Sequence, residues 1–228
     1  MRIGNRHGTC AYCAKLKKLT KDHVPPKLLL EQPFPLNVLT VPCCYDCNQL
    51  FQEQDKYART VLAMDLRASK NAAAQYNLPA IMRSLQKPEA KAFADHLLRQ
   101  TIDTIVLGAD GKPMAQSISV DQARIDTTGR RLVRGLFYVE AGRPLAVDAR
   151  VRVASKPNPT PHDPVVAEFV RFYSRIPERR DRAIGTAFSY VAGFGDLISV
   201  WMMLLYDYYV WVGIVDERPI APASVMTP

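Results

Sequence analysis

Apolar residues recur at helical spacing in two segments of the first half of the chain. Beyond Cys47 they predict a helix that runs to about Ser69, with a stripe made of Leu50, Tyr57, Val61 and Met64. A second helix is expected from near Pro88, and its apolar face carries Ala90, Phe93, Ala94, Leu97 and Leu98. We interpret this second helix as structural.

A third helix is predicted to begin at Asp121, whose side chain would cap its N-terminus. Its apolar positions are Ile125, Leu132, Val133, Leu136 and Phe137, although Gly129 and Gly135 inside it weaken the pattern. Three arginines would give this helix a basic face, which is more typical of a solvated surface than of a binding site: Arg130, Arg131 and Arg134.

The second half of the chain also carries strand patterns. Residues Val147 to Val153 alternate strictly between apolar and polar, as a half-buried strand requires. The proline-rich segment 156–161 is expected to connect this strand to a helix that buries Val166, Phe169, Val170 and Tyr173. Antiparallel strands are predicted near 187–192, 198–205 and 208–215, with turns at 193–196 and at Tyr206–Asp207.

The distribution of cysteine divides the chain into two parts. All five cysteines lie in the turn-rich segment 8–48, whereas the chain beyond Leu50 shows longer periodic patterns and no cysteine. This change predicts a small module at residues 1–69 and a larger body of unknown role at residues 70–228. The expected fold class is α+β, with the module followed by a mixed helical and antiparallel-sheet body.

The cysteines form two pairs with metal-binding spacing. Cys10 and Cys13 are separated by two residues, and so are Cys44 and Cys47. This spacing lets two thiolates from one tight turn reach a single tetrahedral Zn²⁺. Cys43 could replace Cys44 as a ligand, although the spacing favours Cys44. We interpret the zinc as structural, because a module of this size buries too little apolar surface to fold without it.

The charge of the chain favours a polyanionic partner. Thirty Lys and Arg residues against twenty-two Asp and Glu give a formal charge of +8 at pH 7. This surplus is typical of nucleic-acid binding through attraction to phosphate, but a solvated basic surface explains it equally well.

Two features bear on the compartment of the protein. Residues 1–7 contain no apolar run that could serve as a secretory signal, so a cytoplasmic, reducing location is expected. The apolar stretch Ile198 to Val215 approaches membrane-spanning length, but Asp207 interrupts it and its composition suits strands. No membrane-spanning segment is therefore expected.

The order of motifs between the cysteine pairs resembles the HNH, or ββα-metal, endonuclease family over roughly residues 8–60. Asp22-His23-Val24-Pro25-Pro26 follows the first pair, Leu36-Asn37 lies centrally, and Asn48 directly follows Cys47. The resemblance implies that Asp22 and Asn48 hold one catalytic Mg²⁺ or Mn²⁺ ion through oxygen atoms. It implies that His23 is the general base and that Asn37 orients its imidazole.

The sequence departs from the family pattern at three places. Asn48 stands where histidine is commoner, Leu28-Leu29-Leu30 replaces a frequent Gly-Gly, and a basic residue often found after the final motif is absent from residues 49–54. An asparagine can still bind a hard metal ion. The altered loop affects the approach of substrate more than the chemistry.

Three hypotheses for function follow. The first is a metal-dependent endonuclease that hydrolyses phosphodiester bonds, with double-stranded DNA as the expected partner and RNA left open. The second is a catalytically inactive, zinc-stabilised nucleic-acid-binding protein. The third treats the cysteine module as a scaffold for protein contacts, which the net charge disfavours. The sequence predicts no oligomeric state.

Overall fold

The computed structural model describes residues 7–107 and 110–219. Within them the helices are α1 (Tyr45–Ala63), α2 (Ala72–Leu85), α3 (Lys91–Arg99), α4 (Gln122–Ala141) and α5 (Pro164–Tyr173). The strands are β1 (His7–Thr9), β2 (Leu16–Val24), β3 (Leu39–Cys44), β4 (Thr101–Leu107), β5 (Pro113–Ile118), β6 (Arg150–Pro157), β7 (Glu178–Ile184), β8 (Phe188–Phe194), β9 (Ile198–Leu205) and β10 (Tyr209–Asp216). The predicted α+β class is confirmed.

The N-terminal region forms a three-stranded antiparallel sheet followed by a helix. The strand order is β1-β2-β3, and the register pairs Leu19 with Cys44 and His23 with Thr40. Helix α1 begins at Tyr45, directly after β3, with Cys44 at its N-cap position. Strands β2 and β3 and helix α1 therefore follow one another in ββα order.

The C-terminal region is built on a five-stranded antiparallel sheet in the order β6-β10-β9-β8-β7. Helix α4 packs on one face of the sheet, where Trp211 of β10 donates its indole N–H to the Ile125 carbonyl oxygen at 3.1 Å. Helix α5 packs on the other face, where Phe169 joins a separate apolar cluster with Val210 and Val212. Strand β10 is buried on both faces, which explains its almost uninterrupted apolar sequence.

One hydrophobic core crosses the predicted boundary at residue 69. It extends from Cys10 in the N-terminal sheet through Tyr57 of α1 and Leu132 of α4 to Trp211 of β10. Helix α4 contacts both α1 and the β2–β3 pair. The division into residues 1–69 and 70–228 stays a prediction, but its two parts share this core.

Several predicted elements are confirmed. Asp121 caps α4 by accepting a hydrogen bond from the Arg124 amide at 3.3 Å. Helix α5 lies where the proline-rich connector predicted it, although Val170, expected to be buried, is 53% exposed, and β8, β9 and β10 match the three predicted C-terminal strands. The apolar stretch from Ile198 to Val215 is thus two strands, and none of the helices among the described residues has the length and apolarity to cross a bilayer.

The predicted ends of some helices and strands, and the predicted burial of some residues in them, were wrong. Helix α1 ends at Ala63 rather than near Ser69, because Asp65 accepts the Arg67 amide at 2.9 Å and begins a short 3₁₀ turn. Leu50, placed on the buried stripe, is 66% exposed. Strand β6 starts at Arg150, and Val147, expected inside it, is 70% exposed.

Some elements were missed altogether. Helix α2 contains Pro79, a residue that normally argues against a helix interior. Strand β7 is an edge strand whose residues are exposed except for Ile184, so it shows no apolar alternation. The β4–β5 hairpin was also missed. Residues 1–6, which support the prediction of no secretory signal, lie outside the described residues.

Candidate functional site

Four cysteine side chains meet between the N-terminal sheet and the start of α1. Cys10 and Cys13 lie in the turn after β1, whereas Cys44 ends β3 and Cys47 lies in the first turn of α1. Their four sulfur atoms lie within 4.8 Å of one another, and the Sγ atoms of Cys13 and Cys44 are 3.9 Å apart. We call this group the sulfur cluster.

The dimensions of the sulfur cluster suit a metal ion. Four sulfurs bound at about 2.3 Å in a tetrahedron would be separated by about 3.8 Å, close to the observed Cys13–Cys44 separation. The prediction that these four residues are positioned to hold a metal ion is confirmed, and the geometry is compatible with structural zinc.

Backbone hydrogen bonds hold the two cysteine pairs in place. The Ala14 amide donates to the Cys10 carbonyl oxygen at 3.0 Å, which closes the first turn, and Ala14 adopts a left-handed conformation with φ of 55°. The Ala11 amide donates to the Pro42 carbonyl oxygen at 2.8 Å, and the Cys44 amide donates to the Cys10 sulfur at 3.4 Å. The first turn is therefore attached directly to β3.

The structure groups Cys44, rather than Cys43, with the other three cysteines. Successive residues of a strand point to opposite faces, yet the Cys43 thiol also lies within hydrogen-bonding range of the Cys10 side chain. Cys44 belongs to the sulfur cluster. The Cys43 thiol is fully buried and donates to the Cys44 carbonyl oxygen at 3.2 Å instead.

Asp22, expected to bind the catalytic metal, is buried and engaged by protein groups. One carboxylate oxygen accepts the Tyr12 hydroxyl at 2.7 Å and the Arg131 guanidinium at 2.5 Å. The other accepts the backbone amide of His23 at 2.8 Å. Only 7% of the Asp22 surface is exposed.

Arg131 of α4 connects Asp22 to a second buried carboxylate, Asp55 of α1. Its guanidinium donates to both carboxylates and lies over the rings of Tyr12 and Phe51, at 5.7 and 5.2 Å from their centres. We call Asp22, Arg131 and Asp55 the ion cluster. It carries two negative charges and one positive charge, in a region that water barely reaches.

Two polar atoms of the ion cluster lack a hydrogen-bond partner among the described residues. These are one oxygen of Asp55 and the Nε atom of Arg131, both of them buried. Burial raises the pKa of Asp55 to about 6, and the nearby Arg131 charge opposes that rise.

His23 lies on β2 beside Asp22 and is half-buried. Adjacent strand residues face opposite sides, so its imidazole points away from the ion cluster. Burial lowers the pKa of His23, and the positive charge of Lys27 lowers it further. Both effects favour the neutral imidazole, the form that a general base requires.

The two asparagines occupy different surroundings. Asn37 is exposed, and its side-chain amide donates to the Ala183 carbonyl oxygen of β7 at 2.7 Å. Asn48 is half-buried in the first turn of α1, next to the sulfur cluster residue Cys47. Among the described residues, no hydrogen bond joins the side chains of Asp22, His23, Asn37 and Asn48 to one another.

The arrangement does not fit a divalent ion at Asp22 as the sequence pattern implied. A hard cation would have to bind a carboxylate that already contacts a buried guanidinium, and two cations this close would repel each other. The proposal of Mg²⁺ or Mn²⁺ at Asp22 and Asn48 therefore requires Arg131 to move.

Sequence reasoning missed Tyr12, Asp55 and the burial of Arg131. Arg131 was placed on a basic, solvated helix face, yet its side chain is 3% exposed. An aspartate beside the apolar positions of α1 was the available signal, because buried carboxylates are normally paired.

Comparisons of the chain with protein-family models, with curated proteins and with solved structures find no match.

Proposed function

We propose that this chain binds nucleic acid through the zinc-bound β2–β3–α1 unit. The observation that carries the proposal is the charge on the surface of this unit. Asp22, the acidic residue of β2, is buried and paired with Arg131, so it contributes little negative potential outside. Four exposed lysines surround it in sequence, and we call them the hairpin lysines: Lys15, Lys18, Lys21 and Lys27.

The hairpin lysines make no ion pair within the described residues. Lys17, which lies among them, does pair with Asp46. A set of unpaired ammonium groups on a rigid support attracts phosphate and releases counterions when it binds. The sulfur cluster would hold zinc and supply the rigidity, because it joins the turn after β1 to the end of β3 and the start of α1.

Salt-dependent binding tests this proposal. The affinity of the zinc-loaded protein for a fluorescent DNA duplex, and for a matched RNA, is measured by anisotropy from 50 to 300 mM salt. Replacing the hairpin lysines by glutamine should make the negative slope of log K against log salt shallower, by about 0.9 for each lost phosphate contact with duplex DNA.

The matched control removes the same charge elsewhere. Four other exposed cationic residues that make no ion pair among the described residues are replaced by glutamine: Lys70, Arg83, Lys87 and Arg99. This control variant should retain the wild-type slope. An equal loss of affinity in both variants would show that binding depends only on net charge. Absence of binding by the wild-type protein at 50 mM salt would refute the proposal.

An endonuclease is the second candidate function. Two observations favour it: the ββα order of the zinc-bound unit, and a half-buried His23 whose pKa is lowered by burial, which favours the neutral imidazole. In this candidate His23 takes a proton from the attacking water, and Asp22 and Asn48 would supply oxygen ligands to a divalent ion. It requires Asp22 to exchange Arg131 for that ion.

Plasmid cleavage separates the two candidates. Chelators would also remove structural zinc, so the zinc-loaded protein is assayed with Mg²⁺, with Mn²⁺ and with neither. Cleavage that needs the added ion, and that falls about 10²–10⁴-fold in His23→Ala while DNA binding is unchanged, would establish the endonuclease. Binding without cleavage under every ion condition would support nucleic-acid binding and exclude the endonuclease.

A further inference from the structure

The ion cluster has the composition of a metal site with a guanidinium at its centre. Asp22 from β2 and Asp55 from α1 both pair with the guanidinium of Arg131 from α4, Asp22 at Nη2 and Asp55 at Nη1. Hard divalent ions are commonly bound by carboxylates that come from separate elements and contact the same cation.

The guanidinium leaves part of the hydrogen-bonding capacity and part of the negative charge of the two carboxylates uncompensated. A buried Asp55 oxygen and the Arg131 Nε atom lack partners among the described residues, and Asp55 is 4% exposed. A single positive charge also leaves the cluster with a net charge of −1, from two carboxylates and one guanidinium. A divalent ion would neutralise both carboxylates and could coordinate the unpaired oxygen.

We propose that Asp22 and Asp55 form a latent divalent-cation site, which Arg131 keeps filled and which binds Mn²⁺ or Mg²⁺ once the Arg131 side chain is removed. The inference goes beyond nucleic-acid binding and does not depend on it. It assigns Arg131 the role of a built-in cation, so the wild-type protein does not bind a divalent ion at Asp22, and it therefore competes with the endonuclease candidate, which needs that ion.

Thermal unfolding of the zinc-loaded Arg131→Ala variant tests the proposal. Its Tm is expected to lie well below that of the wild-type protein, and 1 mM Mn²⁺ should raise it by about 5–10 °C if the ion is near 100 times its Kd. The same Mn²⁺ should change the wild-type Tm by less than about 1 °C. Electron paramagnetic resonance of Mn²⁺ should report one additional bound ion per chain in the variant.

Three matched variants identify the ligands. Arg134 lies one turn further along α4, is half-buried, and contacts the Ala149 carbonyl oxygen rather than a carboxylate. Arg134→Ala should therefore gain no Mn²⁺ response. Adding Asp22→Asn or Asp55→Asn to Arg131→Ala should abolish the response that Arg131→Ala creates.

Three outcomes would decide against the proposal. A folded Arg131→Ala variant with no Mn²⁺ response would overturn it, and so would a variant that stays unfolded both with and without Mn²⁺. A wild-type protein that binds Mn²⁺ in a manner abolished by Asp22→Asn would show that Arg131 does not exclude the ion. Loss of DNA binding would not bear on this test, since its readouts are Tm and bound Mn²⁺.

Discussion

The sulfur cluster and the ion cluster hold the same β2–β3 pair in different ways. The sulfur cluster is assembled from two short turns, and each turn contributes two residues three positions apart. The ion cluster joins three elements, and its Asp22–Arg131 pair spans 109 positions of sequence. One is therefore a local pattern repeated twice, whereas the other exists only after α1 and α4 have packed against the hairpin.

The two clusters also differ in their expected contribution to stability. Metal binding to thiolates adds folding free energy directly, because the unfolded chain has no formed site. Burying three charges costs desolvation energy that their mutual attraction only partly offsets, so the ion cluster contributes mainly when it is complete. The comparison predicts that removing metal and removing one charge will destabilise the protein for different reasons.

The largest effect should come from breaking the sulfur cluster. Cys13→Ser is expected to reduce bound zinc below one ion per chain and to lower the free energy of unfolding by at least about 5 kcal/mol. Zinc content by mass spectrometry and urea unfolding measure the two effects. A stable variant that lacks zinc would show that the metal has no structural role.

The next largest effect should come from removing the central charge of the ion cluster. Arg131→Met keeps an apolar side chain in place but leaves Asp22 and Asp55 buried without a counter-charge. The expected loss is about 3–5 kcal/mol in urea unfolding. Combining it with Asp22→Asn and Asp55→Asn should recover most of that loss, whereas additive losses would contradict the account of the ion cluster.

A smaller effect tests the close approach of α4 to β2. A methyl group at Gly135 would lie 2.6 Å from a methyl carbon of Val24 and 3.3 Å from the Tyr12 hydroxyl. Gly135→Ala should therefore cost about 1–2 kcal/mol, although alanine is the better helix former. Ala123→Gly, at an exposed position in the first turn of the same helix, controls for the propensity difference and should cost less than about 1 kcal/mol.

The pH dependence of stability should reveal the titration of the Asp55 carboxyl group. Its pKa is about 6 in the folded chain against 3.8 as the ordinary value, so between these pH values only the folded chain holds the proton. The stabilisation from this proton is lost as pH rises through 6. The stability of the wild-type protein relative to Asp55→Asn should thus be about 1 kcal/mol greater at pH 5 than at pH 7. An unchanged difference would argue that Asp55 stays ionised at pH 5.

The smallest effect is expected at Cys43. Its thiol is buried but lies outside the sulfur cluster, and a serine hydroxyl could make the same hydrogen bond to the Cys44 carbonyl oxygen. Cys43→Ser should retain one zinc ion per chain and cost about 1 kcal/mol or less. Zinc loss in this variant would reverse the assignment of Cys44 as a ligand.

The sequence by itself determined the features that depend on near neighbours. The spacing of Cys10–Cys13 and Cys44–Cys47 was enough to predict the metal site, since four sulfurs in two tight turns have few other uses. Asp121, at the start of a helical stripe, was enough to place α4. Strands β9 and β10 were evident because buried strands need long apolar runs.

Only the tertiary structure decided which charged side chains are buried. Nothing near Arg131 in sequence distinguishes it from Arg130 or Arg134, yet only Arg131 meets two carboxylates from other elements. The same holds for Asn37, whose partner Ala183 is 146 positions away. A side chain's charge is visible in the sequence, but its burial depends on which elements pack against it. That packing set Asp22 against a guanidinium rather than against solvent.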